Sequence, residues 1–146
     1  MFRGVSQLNL DAKGRLAMPA RYRDDLAASC NSQLVITVDP SRCLLLYPFP
    51  EWERIEQNLM SRPNMNPKVR NLQRLLVGHA TECELDGSGR LLLPPPLRQY
   101  AGLEKRVVLL GQGKKFEIWG EAAWEETCAQ VLGGDVDDEA LESIAL

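Results

Sequence analysis

Hydrophobic and polar positions along this 146-residue chain change period several times, and each change marks a predicted element. Apolar–polar alternation over residues 6–10 and 15–18 predicts two short strands. Between them lies Asp11-Ala12-Lys13-Gly14, in which Asp11 can accept backbone N–H bonds and Gly14 can take a left-handed conformation, so the four residues form a hairpin turn. Pro19 suits a helix start, and a short helix over residues 20–27 follows. Apolar runs at 33–38 and 43–47, joined by Asp39-Pro40-Ser41, predict two more strands. Residues 51–60 place Trp52, Ile55 and Leu59 on one helical face. Two prolines and two asparagines in residues 61–67 mark a linker, and residues 67–77 form a second helix presenting Leu72, Leu75 and Leu76.

The pattern then repeats. Leu10, Asp11, Gly14, Arg15, Leu16 and Pro19 recur as Leu85, Asp86, Gly89, Arg90, Leu91 and Pro94 at a fixed offset of 75, and Arg23 matches Arg98. Further on the offset drifts while the order persists. Residues 34–38 answer 107–110, 44–47 answer 116–119, and the helix around Trp52 answers the one around Trp124, which ends at Gly133-Gly134. In the second unit the helix spans 95–101, with Gly102 as its stop. Each unit is too small to bury a core alone. The expectation is an α+β, mainly β fold in which two tandem units pack about a pseudo-twofold axis. The boundaries are 1–62 for the first module, 63–77 for linker and helix, 78–132 for the second module and 133–146 for an acidic tail. The tail, with helical spacing of Val136, Ala140, Leu141 and Ile144, is either weakly ordered or a docking helix.

Charge changes the picture. The net of −3 conceals an asymmetry: residues 1–115 carry 17 basic and 11 acidic groups, net +6, and the remainder carries nine acids and no base. Arg3, Lys13, Arg15, Arg21 and Arg23 face only Asp11 within the first 23 residues. A local positive field is what steers a polyanion to a surface. Four scattered cysteines without a CxxC pair read as free thiols in a reducing compartment, and a single histidine leaves no metal-ligand spacing. With neither a glycine-rich phosphate loop nor a nucleophile beside a base, an enzyme is excluded. No cofactor is expected. The absence of a signal-peptide core or an 18-residue apolar run predicts a cytoplasmic protein without a membrane partner.

Met1-Phe2-Arg3-Gly4, the Asn9-Leu10-Asp11-x-Lys13-Gly14-Arg15-Leu16 turn, Tyr47-Pro48-x-Pro50-x-Trp52, Leu75-Leu76-Val77-Gly78-His79-Ala80 and Gly111-Gln112-x-x-Lys115-Phe116-Glu117 occur in order. Together with the second Asp86-x-x-Gly89-Arg90 they resemble the MraZ family of transcription regulators, which carries tandem SpoVT-AbrB domains. The resemblance runs to about Leu132. It implies two AbrB-like, swapped-hairpin-type modules forming a pseudo-dimer in one chain, and a homo-oligomeric ring of such chains. It also implies a nucleoid-associated repressor that binds short direct repeats in double-stranded DNA, at the promoter of the division and cell wall gene cluster that includes its own gene. The Asp-x-x-x-Arg motif, which the resemblance links to DNA, falls on Asp11/Arg15 and Asp86/Arg90. Pro94-Pro95-Pro96 departs from the first unit and stiffens the helix entry of the second.

For the site, Asp11, Gly14, Asp86, Gly89 and Arg90 read as the structural motif of the two turns. The basic residues Arg15, Lys13, Arg3, Arg21 and Arg23 read as DNA-binding, with Arg15 foremost. Because Glu82 and Glu84 approach the second hairpin, the first unit is expected to face DNA and the second to build the core and the oligomer. Trp52, Trp119 and Trp124 read as core or interface, and Lys68, Arg70 and Arg74 as a solvated helix face. The competing reading is an oligomeric protein-interaction ring without specific DNA binding.

Overall fold

The computed structural model describes residues 1–134 and 137–144. Six strands form one antiparallel sheet. Strands β1 (Phe2–Asn9), β3 (Gln33–Val38), β4 (Leu44–Pro48), β5 (Thr81–Glu84), β7 (Arg106–Gly113) and β8 (Phe116–Gly120) are arranged in the order β1-β7-β8-β4-β3-β5. Strands β2 (Arg15–Ala17) and β6 (Arg90–Leu92) pair separately as a two-stranded ribbon. Exchanging β1 with β5, β3 with β7 and β4 with β8 maps the sheet order onto its own reverse, which is a pseudo-twofold axis between the repeats.

The turn residues 11–14 and 86–89 close as the sequence dictates: Gly14 N–H donates to Asp11 O and Gly89 N–H to Asp86 O, at 3.0 and 2.9 Å. The strands that leave each turn nevertheless part company. β1 pairs along its whole length with β7, β5 pairs with β3, and β2 pairs with β6, so these strands find their ladders in the other repeat. That is why the first strand begins at Phe2 rather than at residue 6. Eight β7 residues offer it partners, from Phe2 opposite Gly113 to Asn9 opposite Arg106.

Alternation along the central strands buries both faces of the sheet. Leu34, Ile36, Val38, Leu44, Leu46, Val107, Leu109, Phe116 and Ile118 point toward the ribbon side, where they meet Leu16, Met18, Leu91 and Leu93. That side is closed by helices α1 (Ala20–Cys30) and α4 (Pro95–Tyr100), through Tyr22, Leu26 and Leu97. Val35, Leu45, Tyr47, Val108 and Trp119 point the opposite way, beneath α2 (Phe49–Met60) and α5 (Glu121–Leu132). Trp52 lies in this second core at 3% exposure, while Trp124 packs only at its edge. Helix α3 (Pro67–Leu72) runs on into a π-helical turn, Gln73–Val77. The buried Thr37 hydroxyl donates to the Leu76 carbonyl of that turn at 2.6 Å, fixing it to β3. A short helix, α6 (Asp138–Ser143), lies in the acidic tail, of which residues 135, 136, 145 and 146 fall outside the described residues. Helix α1 runs past the expected residue 27 to Cys30, where Asn31 in the left-handed conformation (φ 54°) ends it and donates its N–H to Ala27 O.

Two arginines lock the exchange. Arg98 Nε donates to Leu93 O at 3.0 Å, and its guanidinium lies over Gly14 of the first turn. Reciprocally, Arg23 Nε donates to Met18 O at 2.6 Å and its guanidinium covers Gly89 of the second. A Cβ on Gly14 would stand 2.5 Å from the Arg98 Cζ, and Gly14 has φ +80°. Glycine is therefore required twice, for the left-handed backbone and for the stacked arginine.

Leu91 is 0% exposed between ribbon and sheet. Leu91→Ala should cost about 3 kcal/mol in a chemical denaturation curve at fixed protein concentration. Gly14→Ala should cost about 1–2 kcal/mol from the left-handed backbone, with a further penalty from displacing Arg98. In an Arg98→Ala background that further penalty should vanish, so a double-mutant cycle should return a coupling of about 0.5 kcal/mol or more.

Candidate nucleic-acid interface

The β2–β6 ribbon turns Leu16 and Leu91, opposite each other, into the core. Period two then sends Arg15, Ala17, Arg90 and Leu92 to the outer face, with Arg15 opposite Leu92 and Ala17 opposite Arg90. Arg15 and Arg90, 75 positions apart in the chain, are thus diagonal neighbours on one exposed surface. Leu92, opposite Arg15 on the same face, is 54% exposed.

Each arginine is held by its turn. Asp11 Oδ1 accepts the backbone N–H of Lys13 at 3.0 Å and of Arg15 at 2.9 Å, while Oδ2 accepts Arg15 Nε at 2.6 Å. Asp86 does the same with Ser88 N–H (2.9 Å), Arg90 N–H (2.9 Å) and Arg90 Nε (3.0 Å). The carboxylate therefore builds the turn and fixes the root of the guanidinium together. The amide of Arg15 above all, then its side chain, holds the Asp11 carboxyl below the usual carboxylate range, and the amide of Arg90 does so for Asp86. Because the folded-state value is depressed, the clamp's stabilisation is present above the ordinary carboxylate range and disappears only as pH falls through the lower folded value. The turn engages each arginine at Nε, and the two Nη groups, the fork that matches phosphate or a purine edge, have no hydrogen-bond partner among the described residues.

The five basic residues expected at the site separate into two groups. Lys13 and Arg15 stand at the first turn, and Arg23 reaches the second turn, where it covers Gly89. Arg3 and Arg21 sit elsewhere. Arg3 lies opposite Gln112 near the far end of β1, six ladder positions from Asn9 and so roughly 20 Å along the strand. Arg21 Nη2 donates to Ser6 Oγ at 2.8 Å and to the Tyr22 hydroxyl at 3.1 Å, with its guanidinium 4.6 Å from the Tyr22 ring centre. The Tyr22 hydroxyl in turn donates to the Arg3 carbonyl, so Arg21 pins the outer edge of β1.

Two further basic residues stand at the ribbon. Arg90 was read only as part of the turn motif, on a hairpin kept away from DNA, but strand pairing sets it beside Arg15. Arg98 was recognised as the repeat partner of Arg23 without a role. Its repeat equivalence was the signal that pointed to it, since any role of one basic residue at a pseudo-twofold site carries over to its mate.

Elsewhere the titratable groups offer little chemistry. Burial pushes the Cys83 thiol up to about 12 and the Cys43 thiol higher still, so neither is a thiolate nucleophile. Among the described residues no group of three His, Cys, Asp or Glu side chains is placed to hold a metal ion. No described helix is long and apolar enough to cross a membrane.

Comparison with known proteins agrees with the internal duplication. The family model for the MraZ protein matches this chain twice, over residues 1–75 and 76–140. A transcriptional regulator MraZ from Thioalkalivibrio sulfidiphilus is 74% identical over 124 residues, covering 85% of this chain and 83% of that protein. Those from Halorhodospira halophila and Nitrosomonas europaea are 56% and 55% identical, each match covering 100% of both chains. Matched in each half by one family model and end to end by these relatives, the chain belongs to the MraZ family.

Proposed function

We propose that this protein is a transcription regulator that binds double-stranded DNA through the β2–β6 ribbon. The observation that carries this reading is the pair of clamped arginines, Arg15 and Arg90, on one outward face of a two-stranded ribbon. A ribbon of this width fits the major groove, where an arginine fork donates bidentately to guanine O6 and N7. Leu92, exposed on the same face, suits contact with a thymine methyl. Lys13 at the first turn tip suits a phosphate, and Arg23 and Arg98 flank the ribbon where they can add charge. Arg3 and Arg21, along the β1 edge, would meet the backbone only if the duplex extends over that edge.

The names of the relatives, transcriptional regulator MraZ, support the regulatory role. The target we infer is a set of short direct repeats at the promoter of the division and cell wall gene cluster, with repression that includes the protein's own gene. One protomer neutralising four phosphates would lose affinity with a log–log salt slope of about −3.6. Successive repeats bound by protomers of one homo-oligomeric ring would multiply that modest grip through effective concentration.

Fluorescence anisotropy with labelled DNA from upstream of the gene, competed by scrambled duplex, tests the reading. Arg15→Ala and Arg90→Ala should each weaken binding roughly 10- to 100-fold, from about 1–3 kcal/mol per bidentate pair. Asp11→Asn keeps an acceptor for the turn amides but removes the ionic grip on Arg15, so it should cost only a few-fold. No preference over scrambled DNA by a folded, assembled wild type would move the function to a protein-interaction ring.

A further inference from the structure

We propose that a cleft beside the first turn, walled by Arg98 and Lys105, is a phosphate site that seats one backbone phosphodiester of the duplex, and that the second turn lacks its counterpart. This rests on the DNA reading above and names where the backbone is gripped. The cleft has a volume of about 530 Å³ and opens between the first turn and residues 103–105, the loop that leads from α4 into β7. The Leu10 N–H donates to Lys105 O at 2.7 Å, which holds that loop against the turn and leaves the Lys105 side chain exposed along the cleft.

Both cations have donors to spare. Arg98 gives Nε to Leu93 O and lays its guanidinium over Gly14, while its Nη groups have no hydrogen-bond partner among the described residues. Lys105 makes no ion pair among them. Two carboxylates share the cleft. Asp11 is committed to the turn amides and to Arg15, so Glu104 alone stands against Arg98 and Lys105, with Lys13 adding a third positive charge at the turn tip. An arginine fork beside a lysine ammonium matches the charge and the paired oxygens of a phosphodiester.

The pseudo-twofold supplies an internal comparison. It maps Arg98 onto Arg23, which covers Gly89, but the other charges do not follow. At the second turn the Leu85 N–H donates to Ser32 O at 3.2 Å, so a serine stands where the first turn has Lys105. Ser88 takes the place of Lys13. The strand end that is Asn9 opposite Arg106 in one repeat is Glu84 opposite Gln33 in the other. Arg23 is thus left with Glu84 and no second cation. Because β2 and β6 run antiparallel, the two turns lie at opposite ends of the ribbon. The first-turn end therefore holds the backbone and the second-turn end does not, which gives the protomer a fixed polarity on the duplex.

Anisotropy titrations of the full chain over a range of salt read this contact. Lys105→Gln keeps the carbonyl that holds the loop, so the melting curve should stay near wild type. It should weaken operator and scrambled duplex by the same several-fold factor and make the log–log salt slope shallower by about 0.9. Glu104→Gln should do the reverse, tightening both duplexes, an outcome that no loss of folding produces. Operators carrying one methylphosphonate at each backbone position in turn locate the phosphate: a single position should weaken wild type and leave Lys105→Gln no weaker than before. Unchanged affinity and slope in Lys105→Gln, weaker binding by Glu104→Gln, or no position coupled to Lys105 would each overturn the site while leaving the losses at Arg15 and Arg90 to support the DNA reading. A folded wild type that binds neither duplex would overturn both.

Discussion

Reciprocal exchange of strands between the two repeats is the constraint on which everything else depends. A repeat by itself holds only the β3–β4 or β7–β8 hairpin; its first strand and its ribbon strand hydrogen-bond to the other copy. Backbone donors and acceptors on those strands would otherwise be left without partners, so neither half reaches a satisfied state before the other. Burial follows the same logic. Leu16 and Leu91 lie opposite each other and close one core shared by both repeats, which is how units too small to bury their own apolar faces become stable.

The candidate site is a consequence of that exchange. Pairing β2 with β6 turns two identical turn motifs toward each other and sets their arginines on one surface, at a separation determined by strand geometry. The stacked arginines then couple the repeats again, since Arg98 covers the first turn and Arg23 the second. Each outward arginine is thus held by its own aspartate, and the glycine that permits its turn is covered by an arginine from the other repeat. Rigidity of this kind lowers the ordering cost when a polyanion binds. The departures from symmetry, Lys13 against Ser88 and Ala17 against Leu92, give the ribbon a direction.

Much of this was legible in the chain. The duplicated Asp-x-x-Gly-Arg word, the proline helix entries and the alternation in residues 33–38 and 107–110 located the turns, helices and central strands, because each rests on local backbone chemistry. The role of Asp11 and Asp86 could be read in the same way. Arg21 illustrates the opposite case. Its proximity in sequence to Arg23 suggested one basic cluster, but on the helix the two side chains go to different places, one to the β1 edge and one to the second turn. Around the second turn sequence neighbours also separate: Glu82 and Glu84 lie on β5, at the sheet edge beside β3, whereas Arg90 enters the ribbon.

By itself, then, the sequence determined the duplication, the elements, the turn chemistry and the family, since all of these depend on neighbours within a few positions or on repetition of them. Only the tertiary structure decided which strands exchange partners, that Arg15 and Arg90 share a face, and that Arg23 and Arg98 brace each other's turns. Those features turn on which strand edge finds a partner about 75 residues away. Alternation within a strand says which side chains point inward, and it carries no information about the strand across the ladder.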